Sequence, residues 1–62
     1  MMILHVYNVS IVNRKTGEIF NETVCCTYTS EARDLVVKKH NIQGQWPDLV
    51  DHIKELTRFE VN

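Results

Sequence analysis

The sequence predicts one small α+β domain over residues 1–62, in which an N-terminal antiparallel β-hairpin (residues 2–29) packs against two α-helices. Stretches rich in β-branched and aromatic residues lie on both sides of a bend that contains Gly17, which is typical of a hairpin. Apolar residues then recur at helical spacing, first in residues 30–40 and again in residues 46–57. The predicted order is ββαα, ending in either a short third strand or the tail of the second helix.

The bend predicts how the two strands of the hairpin pair. A four-residue loop over residues 14–17, closed by Gly17 in the left-handed region, sets Asn13 opposite Glu18 and therefore Tyr7 opposite Val24. In this register the apolar residues of both strands share one face, which the helices would cover. The predicted core residues of that face are Ile3, Tyr7, Val9, Ile11, Phe20, Val24, Cys26 and Tyr28.

The opposite face of the hairpin carries a group of apolar residues near the N-terminus. They are Met2, Leu4, Val6 and Cys25. A solvated sheet face does not need so many apolar side chains together, and a contiguous exposed apolar patch usually marks a contact site. The alternative is that the C-terminal segment of the same chain covers them. The sequence leaves both explanations open.

Two helices are predicted after the hairpin. Ser30 is placed to cap the first, the cations at residues 38–40 suit its C-terminal end, and Asn41 is a favourable left-handed stop with Ile42 packing behind it. Pro47 is well suited to the first turn of the second helix. The apolar side of the second helix would consist of Trp46, Leu49, Val50, Ile53 and Leu56.

Composition limits the classes of function. The net charge of −1 argues against binding to nucleic acids or membranes through an overall positive field. Cys25 and Cys26 are adjacent in a strand, so their side chains diverge and do not bond to each other. With no secretory leader pattern, no apolar run near 18 residues and no disulfide framework, we expect a cytoplasmic protein with reduced thiols. Its small size favours a homodimer.

Two residue sets have the types needed for site chemistry, and neither has a specific pattern. His5, Cys26 and Glu22 share a sheet face and would supply a base, a nucleophile and an orienting acid. That face is the predicted core, where a cysteine is more often a small buried hydrophobe. Asp48 and His52 are four residues apart on the predicted second helix, but a zinc site needs further paired ligands. We expect no enzyme activity, no cofactor and no metal.

By elimination, the sequence predicts a non-enzymatic protein-binding module that acts as an inhibitor or adaptor of a larger partner. The residues expected to bind the partner are Met2, Leu4, Val6 and Cys25. Short proteins of this kind are common among the products of phages and mobile elements. The alternative is a small regulatory protein that binds nucleic acid through the basic residues of the first helix. Those residues are Arg33, Lys38 and Lys39.

Overall fold

A computed structural model describes all 62 residues and shows a three-stranded antiparallel sheet with one helix on one face. In chain order the elements are β1 (Met2–Asn13), β2 (Ile19–Cys26), α1 (Thr29–His40) and β3 (Leu49–Val61). The strand order in the sheet is β2-β1-β3, so the N-terminal strand lies in the centre.

The predicted register of the hairpin is confirmed. His5 pairs with Cys26, Tyr7 with Val24, and every pair between them and the bend follows the same register. The Asn13 carbonyl accepts a hydrogen bond from the Gly17 N–H at 2.7 Å, and Gly17 has a φ of 79°. Glycine adopts this conformation without the steric penalty that a Cβ atom would bring.

The side chain of Asn13 adds a second layer of hydrogen bonds to the bend. Its Oδ1 accepts from the backbone N–H groups of Lys15 and Thr16 at 2.9 and 3.2 Å, and its Nδ2 donates to the Gln43 carbonyl at 3.3 Å. The residue is only 7% exposed. Asn13 therefore joins the hairpin bend to the segment that leads into β3.

The second predicted helix is wrong, and with it the ββαα order. Residues 49–61 form β3, which pairs with the whole length of β1 from Met2–Val61 to Asn13–Leu49. The apolar spacing suits a helix, but a helix there would leave the second edge of β1 without hydrogen-bond partners. The third strand that was one option for the C-terminus is present and is much longer than expected. Pro47 lies after a cis peptide bond in the turn before β3.

The first helix agrees with the prediction at its C-terminal end and differs at its start. It begins at Thr29 rather than after a Ser30 cap, and the Glu31 carboxylate accepts from the backbone N–H groups of residues 27 and 28 at 3.1 and 3.4 Å. Asn41 ends the helix in the left-handed conformation with a φ of 49°. The Ile42 N–H then donates to the Val37 carbonyl at 3.0 Å, and Ile42 is buried as expected.

The core lies between α1 and the middle of the sheet. The buried apolar residues are Tyr7, Val9, Ile11, Cys26, Ala32, Val36, Ile42 and Leu49. Phe20 and Val24 are partly buried against this cluster, whereas Ile3 and Tyr28 are exposed. The two exposed residues were predicted to be in the core. They are not, because β2 ends at Cys26 and Ile3 lies beyond it without a partner in β2.

The molecule is elongated because the sheet extends beyond the helix. Its extents are 42 × 17 × 16 Å, and its radius of gyration is 12.5 Å. A compact chain of this length would have a radius of gyration of about 10.6 Å. The part of the sheet that projects consists of Met2–Leu4 of β1 paired with Phe59–Val61 of β3.

Candidate protein-binding face

The four residues predicted to bind a partner lie together on the sheet face opposite α1. Val6 of β1 pairs with Cys25 of β2, and Leu4 and Met2 follow on the same side of β1. β3 adds Phe59 opposite Leu4 and Val61 opposite Met2. We call these six residues the end patch: Met2, Leu4, Val6, Cys25, Phe59 and Val61.

No other part of the chain covers the end patch. The helix packs on the opposite face through Ala32 and Val36, and the C-terminal segment lies beside β1 in the plane of the sheet. Of the two explanations that the sequence left open, coverage by the C-terminal segment is therefore wrong. Met2 is 53% exposed and Phe59 is 46% exposed, which leaves a contiguous apolar surface at the projecting end of the molecule.

A polar band separates the end patch from the hairpin bend. The side-chain amides of Asn8 and Asn21 bond to each other at 3.0 and 3.3 Å, and Asn21 Nδ2 also donates to Ser10 Oγ at 2.6 Å. His52 and Lys54 of β3 lie beside this group, opposite Ser10 and Asn8. These polar groups separate the end patch from the apolar residues near the bend on the same face, Val12, Ile19 and Val50.

Phe59 and Val61 are the site residues that the sequence prediction missed. Their alternation with Arg58 and Glu60 did indicate a strand, but its length and face could not be derived from that pattern. A β-bulge decides the face: Val6 pairs with Thr57 and Tyr7 pairs with Glu55, so Leu56 is an extra residue in β3. Beyond it, odd-numbered residues lie on the face away from the helix.

An ion-pair cluster lies on the helix-side face behind the end patch. Glu55 accepts from Arg58 Nη2 at 2.8 Å and contacts the Nδ1 atom of His5, whose ring stacks on Tyr7 with centroids 5.6 Å apart. Hydrogen bonds from His5 and Arg58 lower the pKa of Glu55. These side chains connect β1 and β3 where α1 no longer covers them.

The structure does not assemble His5, Cys26 and Glu22 into a catalytic group. The Cys26 Sγ is buried and donates to the Tyr28 carbonyl at 3.2 Å, and burial raises the pKa of its thiol. His5 is engaged by Glu55 instead. Glu22 accepts from Lys39 Nζ at 2.9 Å and contacts His40 Nε2 at 2.8 Å, so all three groups have other partners.

Asp48 and His52 do not lie on one side of a helix, because the residues around them form a turn and a strand. Asp48 lies in the turn before β3, 3.9 Å from Lys15, and His52 is exposed within β3. No group of three or more His, Cys, Asp or Glu side chains is positioned to hold a metal ion.

The basic residues of the alternative prediction lie along α1 with different surroundings. Arg33 stacks over the Trp46 ring at 5.0 Å, and Lys39 forms the ion pair with Glu22. Lys38 is exposed without an ion-pair partner. The Glu22 carboxylate neutralises part of the basic surface. Binding of nucleic acid by these residues stays a prediction.

The remaining concave feature is a shallow cavity of about 180 Å³ between the start of α1 and β3. It is lined by Thr29, Ser30, Arg33, Asp51 and Ile53. Its open shape and small apolar wall give little enclosure for a small molecule.

The single helix, with 12 residues, is too short and too polar to cross a membrane. Comparisons with protein-family models, with curated proteins and with solved structures found nothing that matches this chain.

Proposed function

We propose that the protein is a non-enzymatic protein-binding module that uses the end patch to contact a larger protein as an inhibitor or adaptor. The observation that carries the proposal is the contiguous set of apolar side chains on regular strands, with no segment of the chain packed over them. An exposed apolar surface at the end of an elongated domain is accessible to a partner. A cytoplasmic site of action, where Cys25 stays reduced, is part of the proposal.

The size of the end patch indicates what else the partner must contact. Leu4 and Val6 are partly buried, and Met2, the most exposed large side chain of the patch, is 53% exposed, so burying all six contributes on the order of 5 kcal/mol. Micromolar affinity corresponds to about 8 kcal/mol after the entropy lost on association. Additional contacts are therefore required beside the patch.

The edge of β1 next to the end patch can supply them. β2 pairs with β1 only as far as His5, so the backbone of Met2–Leu4 has no partner on that side. A strand from another protein can add to such an edge, with backbone hydrogen bonds giving affinity and neighbouring side chains giving specificity. We propose that the partner presents an extended apolar segment to this edge and to the end patch together.

The test compares two glutamate substitutions on the same face. Leu4→Glu introduces a charge in the centre of the end patch, whereas Thr23→Glu introduces the same charge at an exposed position of β2 outside it. Wild type and both variants, shown to be folded by circular dichroism, are immobilised and exposed to a nuclease-treated lysate of the source organism. We expect wild type and Thr23→Glu to retain one stoichiometric protein that Leu4→Glu does not retain.

Salt distinguishes this proposal from nucleic-acid binding. Apolar association should persist when the wash contains about 0.5 M salt, at which exposed charges are screened, whereas phosphate contacts weaken steeply. Equal retention of the same protein by Leu4→Glu would contradict the proposed role of the patch. Retention that is seen with an untreated lysate, is absent with the nuclease-treated one and depends on Lys38 and Lys39 would support the alternative.

A further inference from the structure

The outer edge of β3 is the longest unpaired strand edge of the molecule. β3 has 13 residues, contains neither proline nor glycine, and pairs with β1 on one side only. The helix lies mainly over β2 and β1, so it does not protect this edge. The free N–H and C=O groups of such an edge can pair with another strand, and the charged residues and the bulge of β3 restrict the registers in which they do so.

We propose that two copies of the chain join through this edge, with their β3 strands paired antiparallel about a two-fold axis at Thr57. The result is a continuous six-stranded sheet with both helices on the same face. This interface includes Phe59 and Val61 of the end patch but lies at the outer edge of β3, and it does not depend on the function proposed above.

The β-bulge restricts the registers that are possible. Residues on the same sheet face must lie opposite each other across the new strand pair. Leu56 is already extra relative to β1, and we take it to be unpaired at the new edge in both copies as well, so each register is defined by the residue that lies opposite itself at the axis. An axis near either end of β3 pairs fewer residues than one near its middle.

Charge selects among the central registers. An axis at Lys54 or at Glu55 places two identical charges directly opposite each other, and an axis at Ile53 places Asp51 opposite Glu55. Like charges opposite each other destabilise a strand pair. The axis at Thr57 is the one central register that places no like charges opposite each other.

The contacts made in this register are complementary. Two threonines, which pair favourably across strands, meet at the axis. Glu55 lies opposite Arg58 of the second copy, and the symmetry makes this contact twice. Glu55 and Arg58 of one chain already bond to each other at 2.8 Å, so the four side chains form one alternating cluster. Lys54 lies opposite Phe59 of the second copy, where a cation can pack against the ring.

Disulfide trapping tests both the dimer and its register. In a Cys25→Ser background, which leaves only the buried Cys26, Thr57→Cys places two thiols opposite each other at the axis, within the range of a disulfide. Lys54→Cys is the matched control, since its two copies would lie on the order of 14 Å apart. We expect mild oxidation to link the Thr57→Cys protein into dimers and to leave the Lys54→Cys protein unlinked.

Sedimentation equilibrium of the unmodified protein gives an independent measurement. We expect a reversible dimer, an increase of about tenfold in its dissociation constant for Arg58→Glu, and recovery to within about threefold of wild type for the exchange Glu55→Arg/Arg58→Glu. A wild-type protein that stays a single chain at millimolar concentration would overturn the proposal. Linking of the Lys54→Cys protein in place of the Thr57→Cys protein would overturn it equally.

These results separate this interface from the function proposed above. Leu4→Glu lies on the central strand and should abolish partner capture without changing the linking at Thr57. If the Thr57→Cys protein forms no disulfide-linked dimer while the wild-type protein still retains its partner from the lysate, the dimer is rejected and the proposed function is not.

Discussion

The two ends of the sheet have different surroundings. Towards the hairpin bend, α1 covers one face, and side chains such as Val9 and Ile11 are fully buried. At the other end, Met2–Leu4 and Phe59–Val61 form a two-stranded extension that is exposed on both faces. A single helix of 12 residues covers only about half the length of strands with 12 and 13 residues. The covered half therefore provides the stability, and the uncovered half is free for contacts with other molecules.

The largest difference in stability is expected between alanine substitutions of two isoleucines in neighbouring strands. Ile11 is fully buried under α1, whereas Ile19 is 70% exposed on the other face. We expect Ile11→Ala to lower the free energy of unfolding by about 3 kcal/mol and Ile19→Ala to lower it by less than about 0.5 kcal/mol. Urea denaturation followed by circular dichroism measures both. Equal losses would mean that α1 does not define the stable half.

A smaller difference in the free energy of unfolding is expected between alanine substitutions of two asparagines. Asn13 is buried and bonds to the bend and to Gln43, while Asn21 is exposed and bonds to Asn8 and Ser10. Asn13→Ala removes three hydrogen bonds between a buried side chain and the backbone, so we expect a loss of about 2 kcal/mol, against less than about 0.5 kcal/mol for Asn21→Ala. The same urea measurement applies. A neutral Asn13→Ala would show that water replaces its hydrogen bonds.

The two cysteines report on the two faces of the sheet. Cys25 is exposed, whereas Cys26 is 4% exposed and its thiol has a pKa raised by burial. Because the thiolate is the reactive form, we expect Cys26 in the folded protein to react at least about tenfold more slowly than Cys25 with a disulfide reagent at pH 8. Both should react alike in urea. Rapid reaction of Cys26 in the native protein would indicate that the covered face opens readily.

The smallest expected effect concerns two carboxylates, one in each half. Hydrogen bonds from Lys39 and His40 lower the pKa of Glu22, and hydrogen bonds from His5 and Arg58 lower the pKa of Glu55. A lowered pKa in the folded state stabilises the protein above the unfolded value of about 4.3, and this stabilisation is lost as the pH falls through the folded value.

We therefore expect stability to decline as the pH falls below about 4.3, and the decline to be shallower in Glu22→Gln and in Glu55→Gln. Urea midpoints between pH 6 and pH 3 measure the slopes, with Glu18→Gln, at an exposed position in the bend, as the control. Slopes that match wild type in both variants would show that these ion pairs do not contribute to folding.

Local chemistry made the hairpin predictable. Gly17 and Asn13 are the residue types that its bend requires, and the alternation of apolar residues agrees with the register that the bend sets. The four residues of β1 and β2 in the end patch follow directly from that register. This half of the candidate site could therefore be placed from the sequence alone.

The other half depends on a partner that is distant in the chain. Leu49, Val50, Ile53 and Leu56 have helical spacing, yet residues 49–61 form a strand because β1 offers them an unpaired edge along its whole length. Interactions between segments some fifty residues apart override local preference and leave no periodic signal. The face that Phe59 occupies depends, in addition, on one bulge residue.

That bulge makes the exposed face depend on which residue of β3 is left unpaired. Removing Leu56 would leave Glu55 opposite Tyr7, Thr57 opposite Val6 and Phe59 opposite Leu4, so β3 would lose the bulge and keep its apolar residues on the exposed face. If Leu56 instead took the place of Thr57 opposite Val6, every later residue would shift by one, and Arg58 and Glu60 would replace Phe59 and Val61 on that face. A single unpaired residue thus decides whether the projecting end of the molecule presents apolar side chains or a pair of opposite charges.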